Sequence, residues 1–443
     1  MSSENAYSRS ITLSNVLRFA VPTIVMTLVM SFYTMVDGLF VSNLIGTGAL
    51  SAVNLTAPII SLVTAVSTML ATGGSAVIMR KVGEQKSKEA NEDLTFLIIV
   101  NVIVGFVMGA VGYMVMDKIF ASMHLSTAVF DHCHMYLSKY LLFTVPILLM
   151  NNFTIYMIAA GKSGLSMICT IAGGILNIVL DYVLIQFFDM GIGGAAIATG
   201  LGYSVTAIAG LVLFSRKDSL LHFTRPVCRG KTLWDAAING SSEMATALVT
   251  GIVTMMFNGA MLKYAGESGV AAITIIMYVL MFATSLYTGY AYGVAPMISY
   301  YYGEQNHEKT QKLIRLSFLI ISVIALVTLL ASVVLTKPLV AIFARPNDPV
   351  YGLAVEGNRI CSLALLFIGY NVFASSMFTA FSNGLISAVL AFSRSFGFMV
   401  IAMMVLPEIW GVTGVWSATP VAEFAALCLS LFMLRKYKRK YGY

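Results

Sequence analysis

Four carboxylates stand inside long apolar runs of this 443-residue chain: Asp37 in YTMVDGLF, Asp181 in GGILNIVLDYVL, Glu243 early in the run that opens near 236, and Glu423 in the last run. At the centre of a bilayer a carboxylate costs about 2.5–3.5 kcal/mol on insertion scales, so an acid kept there demands a reason. Asn177 and Asp181 are four residues apart, which stacks an amide and a carboxyl on one helical face. Such a pair can take up a proton, or a sodium ion with help from amide and hydroxyl oxygens. The structural alternative is that Asp181 pairs with a neighbouring donor and pins a helix bundle. Glu243 is either a coupling acid or a solvated N-terminal acid favoured by the helix dipole. Arg394 is the deepest cation, and its expected partner is Glu423, as a structural pair.

The elements that must hold these groups follow from composition. With 58% hydrophobic and only 11% charged residues, the chain lacks the polar coats that two soluble domains would need. Its mean hydropathy is +0.85. Windows of about 20 apolar residues predict twelve membrane helices, near 16–45, 51–79, 94–116, 132–158, 163–188, 192–214, 236–262, 270–299, 313–335, 357–381, 384–406 and 412–434. The fold class expected is therefore an all-α integral membrane protein. Twenty Lys and Arg fall in the loops of one side, from Arg9 and Arg18 to the Arg435–Lys440 block, against Lys118, Lys263, Lys337 and Arg345 on the other. That asymmetry puts both termini in the cytoplasm and demands an even number of spans.

The chain is also a repeat. A shift of 220 residues lays Gly83-Glu84-Gln85 on Gly303-Glu304-Gln305, Gly73 on Gly293, Gly191 on Gly411 and Gly194 on Gly414. Six helices per half is an even number, so the two repeats are parallel, related by an axis along the membrane normal. The expected division is an N-lobe over 1–215, a cytoplasmic linker over 216–235 and a C-lobe over 236–443. Under the same shift Asp37, Asn177 and Asp181 meet Phe257, Gly397 and Ile401, so the acid chemistry belongs to the first lobe. Two six-helix lobes suit a secondary transporter; a channel or a membrane enzyme is not excluded by the repeat alone.

Other signals carry less. Five scattered cysteines without a C-x-x-C read as core thiols, neither a disulfide framework nor a metal site. His132-Cys133-His134 lacks a full ligand set. The stretch Gly191–Ala196 has no strand before it to make a phosphate loop, and no G-x-x-x-x-G-K-[ST] occurs, so energy must come from an ion gradient. Tyrosines from Tyr287 to Tyr302 are cation–π candidates or, near the loop, an interfacial belt. The polar opening segment MSSENAYSRSITLSN does not have the form of a removable targeting peptide.

The run Asn177-Ile-Val-Leu-Asp181, followed by Gly191-Ile-Gly-Gly194-Ala-Ala-Ile-Ala-Thr199, resembles the fifth and sixth helices of multidrug and toxic compound extrusion (MATE) transporters. The segment from Val36-Asp37 to Ile45-Gly46, with Leu50-Ser-Ala-Val53 after it, is similar to that family's opening. The resemblance implies a cation site, possible for sodium, at Asp37, Asn177, Asp181 and Thr199, a polar partner at Tyr136 and a coupling acid at Glu243. The tenth-helix acid of some sodium-driven members has no counterpart in residues 357–381. The expected activity is cation-coupled antiport, with proton or sodium as the coupling ion and no cofactor. The expected cargo is an amphipathic cationic drug, and the expected setting a monomer among lipids of the plasma membrane without nucleic acid. A lipid-linked precursor flippase is the alternative, but its cavity should be rich in cations, and this first lobe offers acids. An enzyme would need a catalytic cluster that five scattered histidines do not supply.

Overall fold

A computed structural model describes residue 7 and residues 10–44, 47–123 and 126–443, without the side chains of 34, 36–44, 47–51, 54 and 128. The chain folds into α1 (Leu13–Leu44), α2 (Thr47–Gly83), α3 (Ser87–Ser122), α4 (Thr127–Leu142) and α5 (Thr144–Ala159). There follow α6 (Ser163–Tyr182), α7 (Gly191–Phe214), α8 (Gly230–Gly303), α9 (His307–Val334) and α10 (Thr336–Ala341). The last are α11 (Pro349–Cys361), α12 (Leu365–Ala380), α13 (Gly384–Phe392), α14 (Phe398–Trp410) and α15 (Val412–Tyr441). Helices are what apolar runs must form in lipid, because every backbone amide and carbonyl has to be satisfied within its own segment.

Ten helical stretches are long and apolar enough to cross a bilayer, and the pair α4 and α5, bent by 55°, makes an eleventh. α8 runs for 74 residues but breaks at Gly266 (φ 64°, ψ −158°), a conformation open essentially to glycine. Counted as two spans, it brings the described residues to twelve. The fourth span was expected as one helix over 132–158 and is instead broken at Phe143. Pro146 follows the break: it cannot donate a backbone N–H, and in an unbroken helix its ring would press on the carbonyl of Leu142.

The two lobes repeat in backbone detail. Gln85 (φ 62°) and Gln305 (φ 57°) are left-handed at the same place in each lobe, as are Gly191 (φ 51°) and Gly411 (φ 58°). The lobes meet along α2 and α8. A Cβ on Gly73 would strike the backbone of Ala236 and Gly240, and one on Gly240 would strike Met69. Near the basic ends a Cβ on Gly83 would meet the Tyr300 carbonyl, and one on Gly303 the Arg80 carbonyl, positions related by the same shift of 220. Tyr7 closes this end: its hydroxyl donates to the Ala159 carbonyl at 2.6 Å, and its own carbonyl accepts from the Tyr301 hydroxyl at 3.0 Å.

The segment between α7 and α8 docks on the start of α3. The backbone N–H of His222 donates to Asn91 Oδ1 and that of Thr224 to Thr95 Oγ1, each at 3.0 Å. Asp93, fully buried, accepts from Lys81 Nζ at 2.5 Å, Arg229 Nη1 at 3.0 Å and Thr232 Oγ1 at 3.2 Å. Partial burial works against the Arg229 charge, but its hydrogen bonds to Asp93 and Glu92 outweigh that and hold its pKa above the usual value. Asp93→Asn would leave two cations short of their shared anion. We expect a loss of about 3 kcal/mol, the lower end for breaking a buried pair, read as a lowered unfolding midpoint in detergent.

Two readings of side-chain placement need correction. Cys133, Cys169 and Cys361 are core thiols as expected, but Cys228 and Cys428 are exposed. Tyr300 and Tyr301, expected near the loop as an interfacial belt, lie inside the protein, as do Tyr287 and Tyr290. They are buried in the helix packing, with hydroxyls bonded to partners such as Thr328 and Ser317.

Candidate functional site

The N-lobe site is made by the close approach of α6 and α7. Gly173 and Gly202 face each other so tightly that a Cβ on either would meet the other's carbonyl oxygen. With no side chains between the two backbones, Asn177 Nδ2 reaches Thr199 Oγ1 at 3.2 Å, and that hydroxyl donates to the Ala195 carbonyl at 3.0 Å. Asn177 and Asp181 are each 1% exposed, and Thr199 6%. Asn177 Oδ1 is a buried acceptor without a hydrogen-bond donor among the described residues, and Thr170 Oγ1 is buried in the same state.

Both residues line a cleft of about 410 Å³ whose other walls include Val29, Met30, Tyr33, Met150, Tyr203 and Thr206. The walls are apolar and aromatic, with a few polar atoms, which is the usual make-up of a small-molecule site. Asp181 stands one helical turn from Asn177, outside that lining. Tyr136 is buried and stacked on Tyr140 with centroids 6.2 Å apart. It packs in one apolar cluster with Ile185 and Ala195, each one turn from Asp181 or Thr199. Asp37 lies on α1, which packs on α6. Its side chain falls outside the described residues.

Glu243 is not part of this constellation. It lines a second cleft of about 400 Å³ where the lobes meet, with Thr72 and Ser75 on α2, Tyr292 and Ser299 on α8 and Thr379 on α12. Tyr292 shares the lining of this cleft with Glu243, and its hydroxyl and the Arg394 guanidinium both act electrostatically on the Glu243 carboxyl. Arg394 pairs with Glu423 at 3.4 Å, the pairing the sequence suggested. Asn371, which the charge-led reading passed over, donates Nδ2 to Glu423 Oε2 at 2.8 Å and to the Glu423 carbonyl at 2.9 Å. Its signal was a lone amide in an otherwise apolar run, LFIGYNVFA.

The lobes differ at the key position for a geometric reason. Asp181 is buried, yet its repeat mate Ile401 is 60% exposed. In the N-lobe a π-turn, Val183–Phe187, follows Asp181; in the C-lobe the π-turn Ser393–Gly397 precedes Ile401. A π-turn inserts a residue and rotates everything after it about the helix axis. Position 401 is thereby swung outward.

The MatE family model matches residues 22–183 and again residues 243–405, once in each lobe. The chain belongs to the MATE family. Among curated relatives, the multidrug export protein MepA of Staphylococcus haemolyticus is 23% identical over 431 residues, covering 96% of this chain and 93% of that one. MepA of Staphylococcus aureus strain MSSA476 is 22% identical, with 97% and 95% covered. The fold matches that of a MATE transporter solved in complex with MaL6, with a TM-score of 0.94, 22% identity and 99% of each chain covered. A multidrug resistance MATE transporter solved in an outward-facing conformation superposes with a TM-score of 0.93, 22% identity, and 100% of this chain and 99% of that one covered. As in the MATE fold generally, this chain is a multi-pass membrane protein of two repeated lobes.

Proposed function

We propose that this MATE-family chain exports lipophilic cations by alternating access, in exchange for protons or sodium ions that enter. The observation that carries this reading is the buried Asn177 Oδ1, an acceptor with no donor among the described residues, on an apolar cleft one turn from Asp181. An acceptor so placed favours a cation or a protonated donor over an anion. Asn177, the Asp181 carboxyl and the Thr199 hydroxyl offer sodium several oxygens, and a proton needs only the carboxyl. The names of the staphylococcal relatives support small lipophilic molecules as cargo. A pyrophosphate-carrying cargo fits poorly, because Arg394, the deepest cation, is already paired with Glu423.

The basic face is the cytoplasmic one in this reading, with both termini there, in a monomer surrounded by plasma-membrane lipid. The backbone contacts of Gly73, Gly83, Gly240 and Gly303 then seal the cytoplasmic side. Proteoliposomes preloaded with a fluorescent cationic dye test the proposal. Dye movement is expected under an imposed pH gradient without sodium, or under a sodium gradient at fixed pH, and the arm that drives it names the ion. Movement under neither gradient, with the dye bound by the purified protein, rejects coupled antiport.

A further inference from the structure

Two positions that line the cleft in the N-lobe carry charge in the C-lobe. Under the 220-residue shift, Gly174 and Tyr203, which line the N-lobe cleft, become Arg394 and Glu423. The charged pair is well anchored on one side only. Glu423 accepts from Asn371 on Oε2 and from Arg394 on Oε1, while Asn371 Oδ1 accepts from the Ser430 hydroxyl at 2.9 Å. Arg394, by contrast, sits on the π-turn Ser393–Gly397 with Glu423 at 3.4 Å, and α8, which carries Glu243 into the cleft between the lobes, packs against that π-turn and against α13 just before it.

With both acids ionised, the three groups carry a net charge of minus one. We infer that Arg394 is a tethered counter-cation which Glu423 holds away from Glu243, and that this pairing leaves Glu243 available to a cationic ligand in the interlobe cleft. The inference deepens the proposed export of lipophilic cations and rests on it. Glu423 is thus a positioning residue. Deprived of that partner, Arg394 turns to Glu243 on the adjoining α8, so the protein's own guanidinium takes the place of the ligand.

The test uses the purified full chain in detergent and tetraphenylphosphonium, a lipophilic monocation, as the probe, with the unfolding midpoint recorded for each variant. Glu243→Gln is expected to weaken binding at least tenfold. Glu423→Gln is expected to do the same, although Glu423 does not line the cleft. The double variant Arg394→Met with Glu423→Gln removes the competitor together with its anchor and is expected to bind within about threefold of the parent. A merely structural pair predicts the reverse for the single change, an altered unfolding midpoint with unaltered binding. If Glu423→Gln binds like the parent while Glu243→Gln does not, the role of Arg394 is overturned and the cation site at Glu243 stands. If Glu243→Gln binds like the parent, the cleft reading fails and takes the inference with it. Should Glu423→Gln fail to fold, the charge-free double variant decides, because loss of binding in its folded form overturns the inference.

Discussion

Asp181→Asn is expected to abolish gradient-driven export while leaving the fold intact. Asparagine matches aspartate in shape and can still hydrogen-bond, but it can neither exchange a proton nor neutralise a sodium ion. One charge moving through 150 mV makes available about 3.5 kcal/mol, scaled from 2.3 per 100 mV, which supports a cargo gradient of two to three decades at 1.4 kcal/mol per decade. A protein uncoupled at Asp181 would dissipate that gradient instead of building it. The dye accumulated or expelled by energised vesicles should therefore fall by roughly a hundredfold, toward equality across the membrane. Export unchanged from the parent would remove Asp181 from the mechanism. The change should be gentle on stability, because Asp181 and Asn177 share one helical face and a second amide fits where the first already does.

Gly73→Val is the second large effect. The Cβ it adds points at the backbone of Ala236 and Gly240 on the other lobe, and backbone has no rotamer with which to yield. Overpacking of this kind costs about 1–3 kcal/mol, which is a five- to 150-fold shift in a two-state equilibrium. The strained state is the one with the basic face shut, so the variant should favour the opposite conformation and transport slowly. Gly251→Val and Gly259→Val on α8 are the controls, since a Cβ at either meets nothing within 4 Å. The readout is labelling of a cysteine introduced at position 232 by a membrane-impermeant thiol reagent, with Cys228 and Cys428 first replaced by serine. Labelling should rise in Gly73→Val and not in the controls. Equal labelling in all three would mean that the glycine contacts do not limit opening.

The pseudo-two-fold relation gives these contacts their meaning. Gly83 against Tyr300 and Gly303 against Arg80 are one contact made twice, so a lobe rotation that breaks one breaks both. That is the behaviour expected of a gate between two repeats rocking about a shared axis. Tyr7 adds a bond to each lobe at the same end, through its hydroxyl to Ala159 and its carbonyl to Tyr301. Tyr7 is therefore part of the closed face.

The amino-acid sequence alone determined the lipid setting, the helical class, the twelve spans, the two parallel repeats and the family, because each follows from how hydropathy, charge and glycine are spaced along a chain. It also marked Asn177 and Asp181, and the pairing of Arg394 with Glu423, since an uncompensated polar group in an apolar run stands out without any coordinates; Thr199 was implied only by the family resemblance. Only the tertiary structure decided that Glu243 lines a different cleft from Asn177, that Arg394 stands on a π-turn, and that Asn371 holds its partner Glu423. Nor could a constant shift of 220 reveal that Asp181 points inward while Ile401 points out. The reason is physical. Spacing fixes which residues share a helical face only while the helix is regular, and a break at Phe143 or a π-turn at Ser393 resets that face by an angle that depends on packing between helices.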